Sequence, residues 1–355
     1  MCRDAHDNTN EEKRMNNNGR MLAEWERQRA VQLTWPHDQT DWAEMLQEIN
    51  ATYVVMAKAI TAKERLIVVT PHVEDVDRLL KQHLSANQMQ NVAYCECDTN
   101  DTWARDHGMI TLGAAEKSHI LLDFRFNGWG EKFEYAKDNA INATLYQTGL
   151  IEGRYENHLD FVLEGGAIES DGKGTVFTTS GCLMAPHRNQ PLTRDEIERQ
   201  LKQRLRADRV MWIDNGHLVG DDTDGHIDTL VRIAPEDTLL YVGCDDPEDV
   251  HYEPLKAMEE ELKQWRTVEG DAYRLLKLPL PKAIFRDGER LPATYANYLV
   301  VNGAVLCPVY GQKEKDEEAL RQIGLAYPER EVVPIDCCSI IAQHGSLHCC
   351  TMQYY

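Results

Sequence analysis

Four short stretches hold the acids, the imidazole and the thiol from which a covalent catalytic site can be assembled. The first runs from Asn100 to Gly108 and packs Asp101, Trp103, Arg105 and Asp106 ahead of an apolar strand start. In the second, Glu164 stands before Gly165 and Gly166, just after the apolar Phe161-Val162-Leu163. The third, Gly220 to Asp228, ends on Gly225-His226-Ile227-Asp228, and the fourth is Gly345-Ser346-Leu347-His348-Cys349-Cys350-Thr351. Side chains two apart on a strand share a face, so His226 and Asp228 can reach one site together. By the same rule Cys349 and Cys350 face opposite ways, and at most one can join them. Each residue also has an ordinary structural role open to it. Asp106 can pair with Arg105 or cap a helix, Glu164 can serve a turn, His226 can be a satisfied core imidazole, and a cysteine can be a small apolar filler. Together they make an acid, acid, histidine and cysteine set spread along the chain, which is how a nucleophilic thiol site is assembled in space.

Metal binding is the main chemical rival. His344, His348, Cys349 and Cys350 crowd the C-terminus, and His226 and Asp228 are also ligand types. The spacing argues against zinc, because there is no H-E-x-x-H, there are no C-x-x-C pairs, and a strand cannot turn adjacent cysteines to one ion. Phosphate-loop and dinucleotide-binding glycine patterns are missing, as is the G-x-S-x-G corner of the α/β-hydrolases.

The elements that must position these residues alternate along the chain. Arg65–Thr70, Ser118–Asp123, Arg209–Ile213, Thr238–Gly243 and Glu331–Ile335 read as buried strands. Between them lie amphipathic helices. One begins at Thr193 with a capping box to Glu196 and an apolar stripe of Ile197, Leu201 and Leu205. Another runs from Tyr252 to Trp265 on Leu255, Met258 and Leu262, with Pro254 tolerated in its first turn. A third starts near Asp41, with Trp42, Met45, Leu46 and Ile49 facing inward. This is an α/β pattern without an obvious linker, so residues 21–355 read as one domain. A Gly-x-aliphatic pattern recurs at Gly108-Met109-Ile110, Gly166-Ala167-Ile168, Gly225-His226-Ile227, Gly303-Ala304-Val305 and Gly345-Ser346-Leu347. Four of these lie beside the reactive clusters, as a ring of similar β-α units would require, although Gly181-Cys182-Leu183 and Gly216-His217-Leu218 match out of phase.

Composition bounds the function. The 355 residues carry 38 basic and 59 acidic side chains, a formal charge of −21, which argues against a nucleic-acid partner. No stretch approaches the roughly 20 apolar residues of a membrane span. The asparagine-rich residues 1–20 read as a disordered tail with no apolar signal core. Ten cysteines without an export signal read as thiols in a cytoplasmic protein.

Taken in order, these motifs resemble the agmatine deiminase and bacterial-type peptidyl-arginine deiminase family of guanidino-group-modifying enzymes. The resemblance runs from Met21 onward, through Glu24-Trp25-Glu26, Leu33-Thr34-Trp35-Pro36-His37, the Asp101–Asp106 stretch and Leu163-Glu164-Gly165-Gly166. It continues through Cys182 to Asn189, Gly225–Asp228, Asn297 to Gly303 and His348-Cys349-Cys350-Thr351. It implies a single-domain, five-module α/β propeller of pseudo-fivefold symmetry, of the pentein type, with the site on its axis. It places the nucleophile at Cys349, the general acid/base at His226, the guanidinium-binding carboxylates at Asp106 and Asp228, a supporting acid at Glu164 and a substrate-contacting ring at Trp103. Two positions depart from the family: Gln343-His344-Gly345 replaces a glycine run, and Cys350 stands where an aliphatic residue is usual.

The chemistry that follows needs no metal or organic cofactor. Two carboxylates hold a planar guanidinium by charge-assisted bonds. The Cys349 thiolate adds to its carbon, His226 protonates the departing nitrogen, and a water activated by His226 then hydrolyses the thiouronium. The implied partner is a small cationic guanidino compound, agmatine first, with free or peptidyl arginine as the alternative. An amidinotransferase stands further away, and a non-catalytic binder of polyamine-like cations belongs to another class. The resemblance also implies a homodimer.

Overall fold

The computed structural model describes residues 19–114 and 119–355. Residues 1–18 of the expected tail lie outside the described residues, while Arg20 already pairs with Gly113 in a strand. The fold is mixed α/β. Its helices cover sheets whose strands are buried on both faces, which is why Arg65–Thr70 (RLIVVT) reads as a continuous aliphatic run rather than an alternating one.

Five sheets follow one plan, in which a short strand pairs antiparallel with its neighbour and that neighbour pairs parallel with a third strand reached through a helix. Ile110–Gly113, His119–Arg125 and Arg154–Val162 form the first, with Ile141–Thr148 as the helix. Ile168–Ser170, Thr175–Thr179 and Arg209–Ile213 form the second, crossed over by Arg194–Leu205. Val231–Ala234, Thr238–Gly243 and Arg274–Pro279 follow, with Tyr252–Gln264. Then come Leu299–Val301, Ala304–Val309 and Glu331–Asp336, with Lys313–Ala326. The last sheet joins the two ends of the chain: Thr351–Tyr354 pairs antiparallel with Ala30–Thr34, which continues in parallel to Arg65–Thr70 and Val92–Glu96.

Local chemistry explains the helix boundaries. Thr193 Oγ1 accepts from Glu196 N while the Glu196 carboxylate accepts from Thr193 N, and such a cap stabilises a helix by about 1 kcal/mol. Ile197, Leu201 and Leu205 are fully buried. The element expected from Asp41 is broken in two, a 3-10 turn Ala43–Met45 and the helix Leu46–Thr61. The break falls at Met45, whose φ of −126° is not helical; Trp42 is buried with its indole N–H donating to Asp101 Oδ1 and Thr102 Oγ1, and Leu46 stays partly exposed. The glycine pattern fits four of its five places, Gly345 standing six residues ahead of Thr351 as Gly225 does ahead of Val231. Gly108, Gly166 and Gly225 lie at loop-to-strand corners, whereas Gly303 occupies the turn between paired strands and the equivalent corner holds Asn297. The shared feature is a backbone corner, which several residue types can make.

Candidate active site

The chemistry-bearing residues sit in the corners just ahead of the first strand of each sheet. Asp106 lies in the turn Ala104–His107 before Ile110, and Glu164 and Gly166 flank the turn before Ile168. His226 and Asp228 precede Val231, Asn297 precedes Leu299, and Cys349 precedes Thr351. Residues more than 240 apart in sequence are thereby brought into one buried group. His226 and Asp228 reach it from a 3-10 turn, Ile227–Thr229, instead of the expected strand face. Cys349 and Cys350 also lie ahead of their strand, yet they still part: Cys349 faces the site and Cys350 packs toward Tyr53.

Asp101 orders the first corner. Its Oδ1 accepts from Thr102 N at 2.8 Å and its Oδ2 from Trp103 Nε1 at 2.9 Å, which fixes the indole. The indole lies so close over Gly345 that a Cβ there would come within 2.1 Å of it. Arg105 N donates to the Cys349 carbonyl, tying this corner to the thiol. Asp106 Oδ1 accepts from Gly166 N at 3.1 Å and Oδ2 from Trp129 Nε1 at 2.9 Å. The His226 Nδ1 atom is 3.6 Å from Asp106 Oδ1. Gly166 makes this approach feasible, since a Cβ would lie 2.6 Å from His226 Nδ1 and 2.8 Å from Asp106 Oδ1.

The Cys349 sulfur is 3.4 Å from Asn297 Oδ1 and 3.9 Å from Asp228 Oδ2. Asn297 Oδ1 also accepts the backbone N–H of His348 at 2.9 Å, so it sets the course of the chain through Cys349. The Asp228 carboxylate is held by His348 Nδ1 at 2.7 Å through Oδ2, while Oδ1 has no hydrogen-bond partner among the described residues. Both ring nitrogens of His226 and Glu164 Oε2 are likewise unpartnered there. Buried polar atoms are rarely left unsatisfied, and these four lie together in one group.

Burial opposes charge on His226, but Asp106, the Cys182 sulfur and Glu164 together hold its pKa well above the ordinary range. Burial, reinforced by Asp228 and Asp106, pushes the Cys349 thiol well up. Burial likewise raises Asp106, to about 6, despite the pull of His226. Asp228 is lowered, because the His348 hydrogen bond and the charges around it outweigh desolvation. Glu164 shares the group but makes no hydrogen bond to His226; its Oε1 accepts from Arg188 Nε at 2.9 Å, so it acts on the imidazole through charge.

A cavity of about 210 Å³ opens onto this group. Trp103, Trp129 and Phe133 form apolar walls, Asp106 and Cys349 lie on its surface, and Asp41, Asp222 and His344 stand with them in its lining. No Lys or Arg lines it among the described residues. Of the expected site residues, Trp103, Asp106 and Cys349 face the cavity, while Glu164, His226 and Asp228 are buried beside them. The C-terminal histidines are otherwise engaged: His348 lies between Asp228 and Glu24, and His344 Nδ1 bonds the Gly220 carbonyl. Asn297, His348 and Arg188 were visible in the sequence only as members of longer motifs. Trp129 carried no signal there at all, since its role depends on a left-handed turn at φ 54° that aims the indole at Asp106.

Comparison with known proteins bears on the same residues. The family model described as Porphyromonas-type peptidyl-arginine deiminase matches residues 20–354. A solved structure from Porphyromonas gingivalis, provisionally named an arginine deiminase, is 50% identical with a TM-score of 0.88, covering 94% of this chain and 98% of that one. The C. jejuni agmatine deiminase with substrate bound is 36% identical with a TM-score of 0.86, covering 95% of this chain and 96% of that one. A Marinomonas sp. relative, provisionally named an agmatine deiminase, is 30% identical over 355 residues and 94% of each chain. The chain belongs to the Porphyromonas-type peptidyl-arginine deiminase family, whose relatives named agmatine deiminases are hydrolases of C–N bonds in linear amidines.

Proposed function

We propose that this chain deiminates the guanidino group of agmatine, giving N-carbamoylputrescine and ammonia through a covalent intermediate on Cys349. One observation carries the reading: the Cys349 sulfur lies 3.9 Å from Asp228 and shares with Asp106 the wall of an aromatic cavity without cationic lining. A guanidinium between Asp106 and Asp228 presents its carbon to that sulfur, and fixing this geometry supplies much of the rate advantage. The thiolate adds to the carbon to form a tetrahedral adduct. His226 gives its proton to one nitrogen, ammonia leaves, and an S-alkylthiouronium remains. Neutral His226 then takes a proton from water, which attacks the same carbon and expels the sulfur as the ureido product forms. Glu164 supports the imidazolium by charge, and Trp103 and Trp129 wall off the alkyl chain. The reaction consumes one water, releases one ammonia and is redox-neutral.

The acidic lining favours agmatine over arginine. An amine tail is matched by Asp41 and Asp222, whereas an arginine carboxylate would meet no Lys or Arg among the described residues there, only His344 beside Asp222. The common plan of the five sheets, with one site residue or pair at each corner, supports a pseudo-fivefold propeller formed by residues 21–355 as one unit. Ammonia and ureido product assayed over agmatine, arginine and an arginyl peptide test the function. Turnover of agmatine that vanishes in Cys349→Ser is expected. A wild-type chain that binds agmatine and releases no ammonia is a cation-binding protein, and the proposal fails.

A further inference from the structure

Three groups of His, Cys, Asp or Glu among the described residues bring their ligating atoms within 4.8 Å of one another. Two are satisfied by other partners. In the group of His37, Asp38 and His72, both His37 nitrogens are taken, by Thr99 Oγ1 and Gln39 N. Glu24, Glu169 and His348 already surround the Arg232 guanidinium. The third group, Glu164, Cys182 and His226, is different. All three residues are fully buried, and Glu164 Oε2 and both His226 nitrogens lack a hydrogen-bond partner among the described residues. Arg188 occupies only Oε1 and is itself balanced by Asp224, which leaves Oε2 without a partner in a carboxylate that lies beside the thiol and the imidazole.

We propose that Glu164, Cys182 and His226 form an inhibitory zinc(II) site. The metal takes Glu164 Oε2, the Cys182 thiolate and one imidazole nitrogen, and a water completes the tetrahedron. Sulfur, nitrogen and carboxylate oxygen are the donors zinc prefers, at about 2.0–2.3 Å, so the three atoms must draw in only modestly. Binding releases the thiol proton and any proton on the imidazole to solvent. The path in runs past Asp106, which lines the cavity 3.6 Å from His226 Nδ1. Inhibition rests on the proposed function, since zinc removes His226 as proton donor; binding itself does not. Cys182 touches neither the substrate nor the attacking sulfur and bears on turnover only through its effect on His226, which separates this site from the nucleophile.

Cobalt(II), which reports thiolate ligation by a charge-transfer band, is titrated into the full chain as wild type, Cys349→Ala, Cys182→Ala and Cys182→Ser. One equivalent with a thiolate band is expected in wild type and in Cys349→Ala, and loss of that band in both Cys182 variants. Ammonia release by Cys182→Ala should resist zinc at concentrations at least about tenfold above those that stop wild type. A band that follows Cys349 and survives either Cys182 substitution overturns the site, as does the absence of any band in wild type. The cobalt titration of Cys349→Ala is read without turnover, so failure of the deiminase reading and failure of this one are distinguishable.

Discussion

As the proposed nucleophile, Cys349 is poorly served in the resting protein, because its neighbours are wrong for a thiolate. Burial and the two carboxylates raise its pKa, so the resting thiol is protonated at neutral pH. A guanidinium between Asp106 and Asp228 reverses both charge effects at once. Each such contact at about 4 Å is worth on the order of 4 kcal/mol at a surface-like dielectric, before desolvation. Agmatine added at pH 7 should therefore raise the thiolate ultraviolet absorbance of wild type above that of Cys349→Ala. Equal absorbance in the two would show that ionisation does not depend on substrate. Asp106 gives the pH dependence. Its carboxyl titrates at about 6, and the protonated form is neutral and cannot hold a cation. Asp228 is lowered and His226 raised, so both keep their charge through this range. The Cys349 proton already makes agmatine kcat/KM fall with falling pH, and below pH 6 the Asp106 proton should steepen that fall by about another tenfold per pH unit. A profile that gains no slope between pH 7 and pH 5 would remove Asp106 from the clamp.

The corners carry the site, and their backbone is as constrained as their side chains. At Gly166 an added methyl meets His226, Asp106 and Asp228 together, the last at 3.2 Å, and none of them can retreat in a fully buried group. Gly166→Ala should lower kcat/KM by on the order of a hundredfold through displacement of the clamp, with unfolding still cooperative and a melting temperature lowered by only a few degrees. Thermal denaturation beside the kinetics separates displacement from unfolding. The C-terminal strand poses a different test. Thr351–Tyr354 pairs with Ala30–Thr34 along its whole length, and its residues are buried. Removing Thr351–Tyr355 should abolish activity along with cooperative unfolding, and an active truncated chain would contradict the placement of Cys349. These elements were largely legible beforehand. Strands such as Arg209–Ile213 and the helix capped at Thr193 follow from short-range pattern and capping chemistry, which the sequence carries directly. Pairing between Thr351–Tyr354 and Ala30–Thr34 was not legible, because it depends on contacts over 300 residues apart. The same holds for Trp129 and Asn297, whose roles arise only when distant corners meet. Glu164 lies in the group, but its bond to Arg188, and so its hold on His226 through charge alone, is visible only in three dimensions.

The charge of the whole molecule and the shape of its cavity act in one direction. A net charge of −21 and a cavity lined by Asp41, Asp106 and Asp222 draw in a dication such as agmatine, whereas zwitterionic arginine gains less. Steering by this field weakens as salt shortens the Debye length from about 30 Å at 0.01 M to about 8 Å at 0.15 M. Agmatine kcat/KM should accordingly drop over that range while kcat holds. The local part of the effect is separable from the global one. Asp41 is exposed and Asp222 partly so, and neither belongs to the reacting group. Neutralising both, as Asp41→Asn with Asp222→Asn, changes the molecular charge by only two and leaves the long-range field nearly intact. If these two carboxylates read the amine, the double variant should raise the agmatine KM about tenfold, two exposed pairs at somewhat under 1 kcal/mol each. The kcat should stay within about twofold, and the preference over arginine should narrow. An unchanged KM with the salt dependence preserved would assign selectivity to the global field, and a greater preference for agmatine would place the amine elsewhere in the cavity.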